Sequence, residues 1–107
     1  MRVVEYLDER GSSPFAEWFS NLGAGAATKV AVALERMSLG NLGNAKGVGA
    51  GVMECRIDSG PGYRIYFGLD GAELVILLAG GTKQRQQRDI KAAQARWNDY
   101  RQRKKRK

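Results

Sequence analysis

Residues 51–83, GVMECRIDSGPGYRIYFGLDGAELVILLAGGTK, set three β-branched and aromatic runs between two turn signals, Gly60-Pro61-Gly62 and Asp70-Gly71. That punctuation predicts a three-stranded antiparallel meander. Strand side chains alternate, so a slip of one residue would carry every side chain to the opposite face, and the charge pattern selects the register. With Gly60-Pro61-Gly62 as the loop, Asp58 lies opposite Arg64 and Arg56 opposite Tyr66. One face then gathers Glu54, Arg56, Asp58, Arg64 and Tyr66, and the other Met53, Cys55, Ile57, Tyr63, Ile65 and Phe67. A two-residue loop would set Arg64 beside Ile57 and Cys55, mixing charge into the apolar face. With Asp70-Gly71 as the second turn, Phe67 faces Leu74, Ile65 faces Ile76 and Tyr63 faces Leu78. The third strand, 74–79, is apolar on both sides, which predicts an interior strand or one covered on both faces.

The remaining segments supply layers for that sheet, and the expected fold class is α+β. Residues 2–7 alternate, with Val3 and Leu7 on one side and Val4 and Tyr6 on the other, and predict a strand that joins the sheet. Ser13-Pro14 is an N-cap followed by proline in the first turn, and Phe15, Trp18, Phe19 and Leu22 recur at i, i+3, i+4, i+7. A second helix over 26–38 carries Val30, Leu34 and Met37 on one stripe, and the short connection predicts a helical hairpin against the sheet. Five of the twelve positions from 40 to 51 are glycine, which predicts a mobile connector with Lys46 as its only charge. No GxxxxGK[ST] pattern marks a phosphate loop. A last helix over 86–101 docks by Ile90, Ala93, Trp97 and Tyr100, leaving a basic tail at 103–107 expected to be disordered.

At 107 residues the chain is one domain, 1–102 plus the tail, able to bury roughly two thirds of its unfolded surface. Residues 1–82 carry seven basic against nine acidic groups, a net −2, whereas residues 83–107 carry eleven against two, a net +9. An asymmetry of this kind points to an anionic partner, nucleic acid foremost. Arg85, Arg88, Lys91, Arg96, Arg101, Arg103 and Lys104, with Lys46 from the loop, are the candidate nucleic-acid contacts. The single Cys55 forms no internal disulfide and sits on the apolar face as a buried thiol. No apolar run approaches the ~18 residues of a membrane span, and the expected location is cytoplasmic, without a membrane or small-molecule partner.

The chain contains no histidine, which removes Ser-His triads, histidine-based nucleases and histidine-ligated metals, and one cysteine cannot build a zinc cluster. Any catalysis falls to Lys, Arg, Tyr, Asp or Glu. The charged face of the meander offers Arg56, Arg64, Tyr66, Glu54 and Asp58 together, with Lys83 leaving the third strand. Forked guanidinium donors on a rigid sheet suit a phosphate. Cross-strand ion pairing on a solvent-facing surface is the structural alternative, and exposed pairs contribute only about 0–1 kcal/mol.

The runs E-C-R-I-D-S-G-P-G-Y-R-I-Y-F and L-L-A-G-G-T-K-x-x-Q-x-x-D-I, in the order strand, two helices, meander, basic helix, resemble the RelE/HigB toxins of type II toxin–antitoxin modules, in particular the addiction-module killer proteins. The resemblance implies a RelE-like fold and a ribosome-dependent endoribonuclease that cleaves mRNA and is neutralised by a cognate antitoxin, a small helix-turn-helix protein. It implies that Arg64 binds the scissile phosphate, with Arg56 and Lys83 beside it. A route needing no metal or cofactor is attack of the RNA 2′-OH on the adjacent phosphate. Glu54 or Lys83 could serve as base, Arg64 and Arg56 would stabilise the phosphorane, and Lys83 or Tyr66 could protonate the leaving oxygen. Two alternatives remain: a ParE-like toxin, which shares the fold, acts on DNA gyrase without cleaving anything and need not assemble Arg56, Arg64 and Lys83, and a non-enzymatic RNA-binding module, which needs only the basic helix and tail.

Overall fold

The structure, a computed structural model, describes residues 1–106. It is an α+β fold with a five-stranded mixed sheet and three helices: β1 (Arg2–Glu5), α1 (Pro14–Ser20), α2 (Ala24–Ser38), β2 (Lys46–Gly47), β3 (Val52–Ile57), β4 (Tyr63–Asp70), β5 (Leu74–Thr82) and α3 (Gln86–Lys105), with a 3-10 turn at Lys83–Arg85. The sheet order is β1-β5-β4-β3-β2. β1 joins β5 in parallel, and the other neighbours are antiparallel. β5 therefore lies inside the sheet, as its two-sided apolar sequence requires.

The sheet separates two cores. Phe15, Val30 and Met37 from α1 and α2 pack with Ile65, Phe67, Val75 and Leu77 on one face. Ala93 and Trp97 from α3 pack with Val52, Tyr66, Ile76 and Leu78 on the other. α1 starts where Ser13 Oγ accepts from the Ala16 N–H at 3.0 Å, with Pro14 in its first turn, satisfying a donor that would otherwise lack a partner. Residues 21–23 connect it to α2. Both helices lie on one face, α1 against β5 and α2 against β1 and β3, and each rests on strands more than on the other helix.

The expected register is corrected at both turns. Arg56 pairs with Arg64 and Glu54 with Tyr66, two residues away from the pairs Asp58–Arg64 and Arg56–Tyr66. The loop spans residues 58–62, not three residues. A slip of two leaves every side chain on its expected face. At the second turn the slip is odd. Asp70 pairs with Leu74 across three residues, Phe67 with Leu77 and, beyond a bulge at Tyr66/Phe67, Ile65 with Gly80 and Tyr63 with Thr82. Leu74, Ile76 and Leu78 consequently face α3, opposite to expectation.

Two further expectations change. The glycine-rich connector contributes β2, which pairs Lys46 with Glu54 and Gly47 with Met53. The basic tail does not begin as disordered chain: α3 continues through Lys105, because Arg103 bonds both Asp99 and the Tyr6 hydroxyl, and Lys104 Nζ reaches the Asp70 carboxylate at 2.6 and 2.7 Å. Lys107 lies outside the described residues.

Candidate functional site

The pairing lines up two rows on the α3 face. Lys46, Glu54, Tyr66 and Ala79 form one, and Arg56, Arg64 and Gly81 the next. The first turn of α3 covers them, so this end of the face is no solvated surface. Glu54 and Tyr66 are fully buried and Arg64 is only 6% exposed, which corrects the expectation of a solvent-facing arginine. Arg56, one strand over, is exposed.

Glu54 is the hub. Its Oε2 accepts from Gln86 Nε2 at 3.0 Å and lies 3.6 Å from Arg64 Nε, and its Oε1 lies 3.8 Å from Lys46 Nζ. Arg64 Nη1 donates to the Gly62 carbonyl at 3.3 Å, and the Lys83 N–H donates to that same carbonyl at 3.1 Å. One loop carbonyl thus brings Arg64 and the start of the 3-10 turn together. Lys83 itself is exposed.

Four buried polar atoms converge here without a hydrogen-bond partner among the described residues: Glu54 Oε1, Arg64 Nε, the Tyr66 hydroxyl and Asp89 Oδ2. Buried polar groups are normally satisfied, and an incompletely paired buried charge costs stability. Burial pushes the Tyr66 phenol well above its ordinary range, with Glu54 and Asp89 adding to the rise and Arg64 opposing it. Burial also raises the Asp89 carboxyl, against the pull of Arg85, Arg88 and Arg96. A Cβ at Gly81 would collide with the Asp89 carboxylate, so glycine is what lets this acid sit on the sheet.

Residues 17–98 match the family described as phage derived protein Gp49-like (DUF891). The chain belongs to the Gp49-like family. This family is associated with the toxins of toxin–antitoxin modules. A relative, an uncharacterized protein of Haemophilus influenzae, is 44% identical over 80 residues, spanning 74% of this chain and 81% of its own. No solved structure matches.

In this Gp49-like chain the basic residues divide by place. Arg85 and Arg88 are exposed beside Asp89, Lys91 and Arg101 are exposed further along α3, and Lys46 is 60% exposed at the sheet edge. Arg96, Arg103 and Lys104 are engaged: Arg96 Nη1 donates to the Leu78 carbonyl at 2.9 Å, and the other two hold Asp99 and Asp70. A 20-residue helix spans about 30 Å, so Arg101, Arg103 and Lys104 are remote from Arg64. The structure brings Glu54, Arg64, Tyr66 and Lys46 into one cluster, with Arg56 and Lys83 at its rim. Gln86 and Asp89 were missed as site residues. Their signal was the spacing K-x-x-Q-x-x-D after Gly81, which returns both side chains to the strand end one helical turn apart.

Among the described residues, no three His, Cys, Asp or Glu side chains are grouped to hold a metal ion, and no helix is long and apolar enough to cross a membrane.

Proposed function

We propose that this protein is the toxin of a type II toxin–antitoxin module and an endoribonuclease of the RelE/HigB kind that cleaves ribosome-bound mRNA. The observation that carries the reading is the fixed Arg64 guanidinium, held between Glu54 and the Gly62 carbonyl, with Lys46, Arg56 and Lys83 as cations around it. Such an array meets a scissile phosphate with donors already oriented.

In this mechanism the RNA 2′-oxygen attacks phosphorus while the bond to the 5′-oxygen breaks, leaving a 2′,3′-cyclic phosphate and a free 5′-hydroxyl. Glu54 Oε1, which has no hydrogen-bond donor of its own among the described residues, accepts the 2′-OH proton once the Lys46 side chain turns toward the phosphate. Lys46 is on an exposed two-residue edge strand and is free to do so. Arg64 and Arg56 neutralise the phosphorane, and the Lys83 ammonium returns a proton to the departing 5′-oxygen. Tyr66, with its phenol shifted upward, acts as a hydrogen-bond donor and not as the acid. Gln86 positions Glu54. A helix-turn-helix antitoxin encoded alongside is the neutralising partner.

Single-turnover cleavage of ribosome-bound mRNA tests the reading. Arg64→Lys keeps the charge but loses the fork, and the rate should fall on the order of a hundredfold or more, the usual cost of one preorganised donor. Cleavage within a few-fold of the parent removes Arg64 from the mechanism.

The burial of Arg64 and Glu54 favours one second reading, in which the pair is structural and the protein is a ParE-like toxin that binds DNA gyrase. Growth arrest without any RNA cleavage selects it.

A further inference from the structure

The opposite side of the sheet carries a second built feature. A cleft of about 280 Å³ opens between α2, the 41–44 loop and the end of β3. Its floor is apolar: Ala33, Met37, Leu42, Cys55 and Ile57. Its walls carry Lys29 and Arg36 against one acid, Asp58. Among the described residues neither of these cations has a carboxylate within ion-pair distance. The loop wall is pinned, since Asn44 Oδ1 accepts from the Arg56 N–H at 3.0 Å and Asn41 Oδ1 accepts from the Gly43 N–H at 2.9 Å. The cleft is therefore preformed.

Beside it, Lys29, Val32, Arg36 and the C-cap residue Leu39 recur at spacings of three, four and three, and so share one stripe of α2 and its C-terminal end. Val32 is 41% and Leu39 79% exposed, two of the four large hydrophobic side chains that the described residues leave in solvent. Apolar side chains interleaved with unpaired cations are an unusual use of helix surface in a region, 1–82, whose net charge is −2.

We propose that this cleft and the adjoining α2 stripe dock an acidic amphipathic segment of a partner protein, an apolar side chain entering the Ala33–Met37–Ile57 floor while carboxylates meet Lys29 and Arg36. Charge complementarity selects an acidic occupant. The floor selects peptide over nucleic acid, because it holds aliphatic and sulfur side chains and no aromatic ring on which a base could stack. Apolar anchors at helical spacing are the familiar currency of such grooves. The Arg56 backbone closes the cleft at the end of β3, through its N–H to Asn44 Oδ1, while its side chain belongs by strand alternation to the Arg64 face. In the toxin reading the natural occupant is the antitoxin; the docking surface itself is tested without any cleavage assay.

The test uses the full chain and three probes: a synthetic peptide with leucines at i, i+3, i+4 and i+7 and glutamates between them, the same peptide with alanine for leucine, and a uridine-rich RNA oligonucleotide. Amide chemical shifts locate binding and fluorescence anisotropy measures it. The leucine peptide should shift the amides of Ala33, Leu42 and Ile57. The alanine peptide should bind on the order of tenfold more weakly, as should the leucine peptide to Lys29→Glu/Arg36→Glu or Val32→Asp. Shifts confined to α3, equal binding of the two peptides, or RNA displacing the leucine peptide from α2 would each overturn the proposal.

Discussion

The two ends of α3 are built in opposite ways. At its C-terminal end the charged groups are paired near the surface: Asp70 accepts from Tyr100 at 2.5 Å and from Lys104, and Asp99 accepts from Tyr6 at 2.6 Å and from Arg103, whose guanidinium also lies 5.2 Å from the Tyr6 ring centre. Both carboxyls are held below their usual range, first by the hydrogen bonds from their cations, and the Tyr100 phenol is pushed up to about 12 by burial and Asp70. At the N-terminal end Glu54, Arg64 and Tyr66 are buried and Asp89 is half-buried, and each keeps a buried atom without a partner among the described residues. The first arrangement fastens a helix to a sheet. The second spends stability to hold charge where folding alone does not need it, as functional sites do.

The contrast breaks most visibly at Arg64. Arg64→Ala leaves the buried Glu54 carboxylate with Gln86 and the largely solvated Lys46 as its remaining partners, and removing one member of a buried pair costs about 3–5 kcal/mol. Denaturant unfolding should show that loss, and adding Glu54→Leu should recover most of it; if the protein is the proposed nuclease, cleavage stays abolished. If Arg64→Ala unfolds at the parental midpoint, the N-terminal cluster is no costlier than the pairs at the other end.

Next in size is Gly81→Ala, which places a methyl group where the Asp89 carboxylate lies. Overpacking of this kind costs about 1–3 kcal/mol. The double variant Gly81→Ala/Asp89→Ala should regain stability, and a strictly additive double variant would show that the two positions do not meet. Lys104→Ala, by comparison, should cost under about 1 kcal/mol, because the Lys104 side chain is largely solvated, and should leave cleavage unchanged. A tenfold loss of activity would instead place the C-terminal half of α3 in the RNA path.

These unequal ends also explain what could be read from sequence. The faces of β3 and β4 were legible because alternation survives a slip of two. The β5 face was not, since a strand apolar on both sides offers no pattern to betray an odd slip, and neither the three-residue turn nor the bulge at Tyr66/Phe67 has a signature beyond Asp70-Gly71. β2, two residues long among glycines, carried no strand signal. Glu54, Arg56, Arg64, Tyr66 and Lys83 were identified as neighbours from strand register and the chain's turn residues. That Arg64 and Glu54 are buried depends on where α3 lies, a long-range contact, and for the same reason Gln86 and Asp89 could be seen in the K-x-x-Q-x-x-D run without a role in the site.

The finest test compares the carboxyls by pH. Asp70 and Asp99 have folded-state affinities for protons below those of the unfolded chain, so their contribution is present above the unfolded value of about 3.9 and is lost as pH falls through the folded values. Asp89 is shifted the other way by burial: its protonated form suits the fold, so its contribution is present below about 3.9 and disappears as pH rises through its raised folded value. Linkage makes the variants diverge in sign. Asp70→Asn should lower stability near neutrality and converge on the parent in acid, whereas Asp89→Asn should raise stability near neutrality, by less than Gly81→Ala lowers it, and show no gain in acid. Unfolding midpoints of the two variants across pH 3–8 decide the matter. Parallel curves would mean that the two ends of α3 handle charge alike, and a neutral-pH loss for Asp89→Asn would show that its carboxylate is stabilised by Arg85, Arg88 and Arg96 more than burial penalises it.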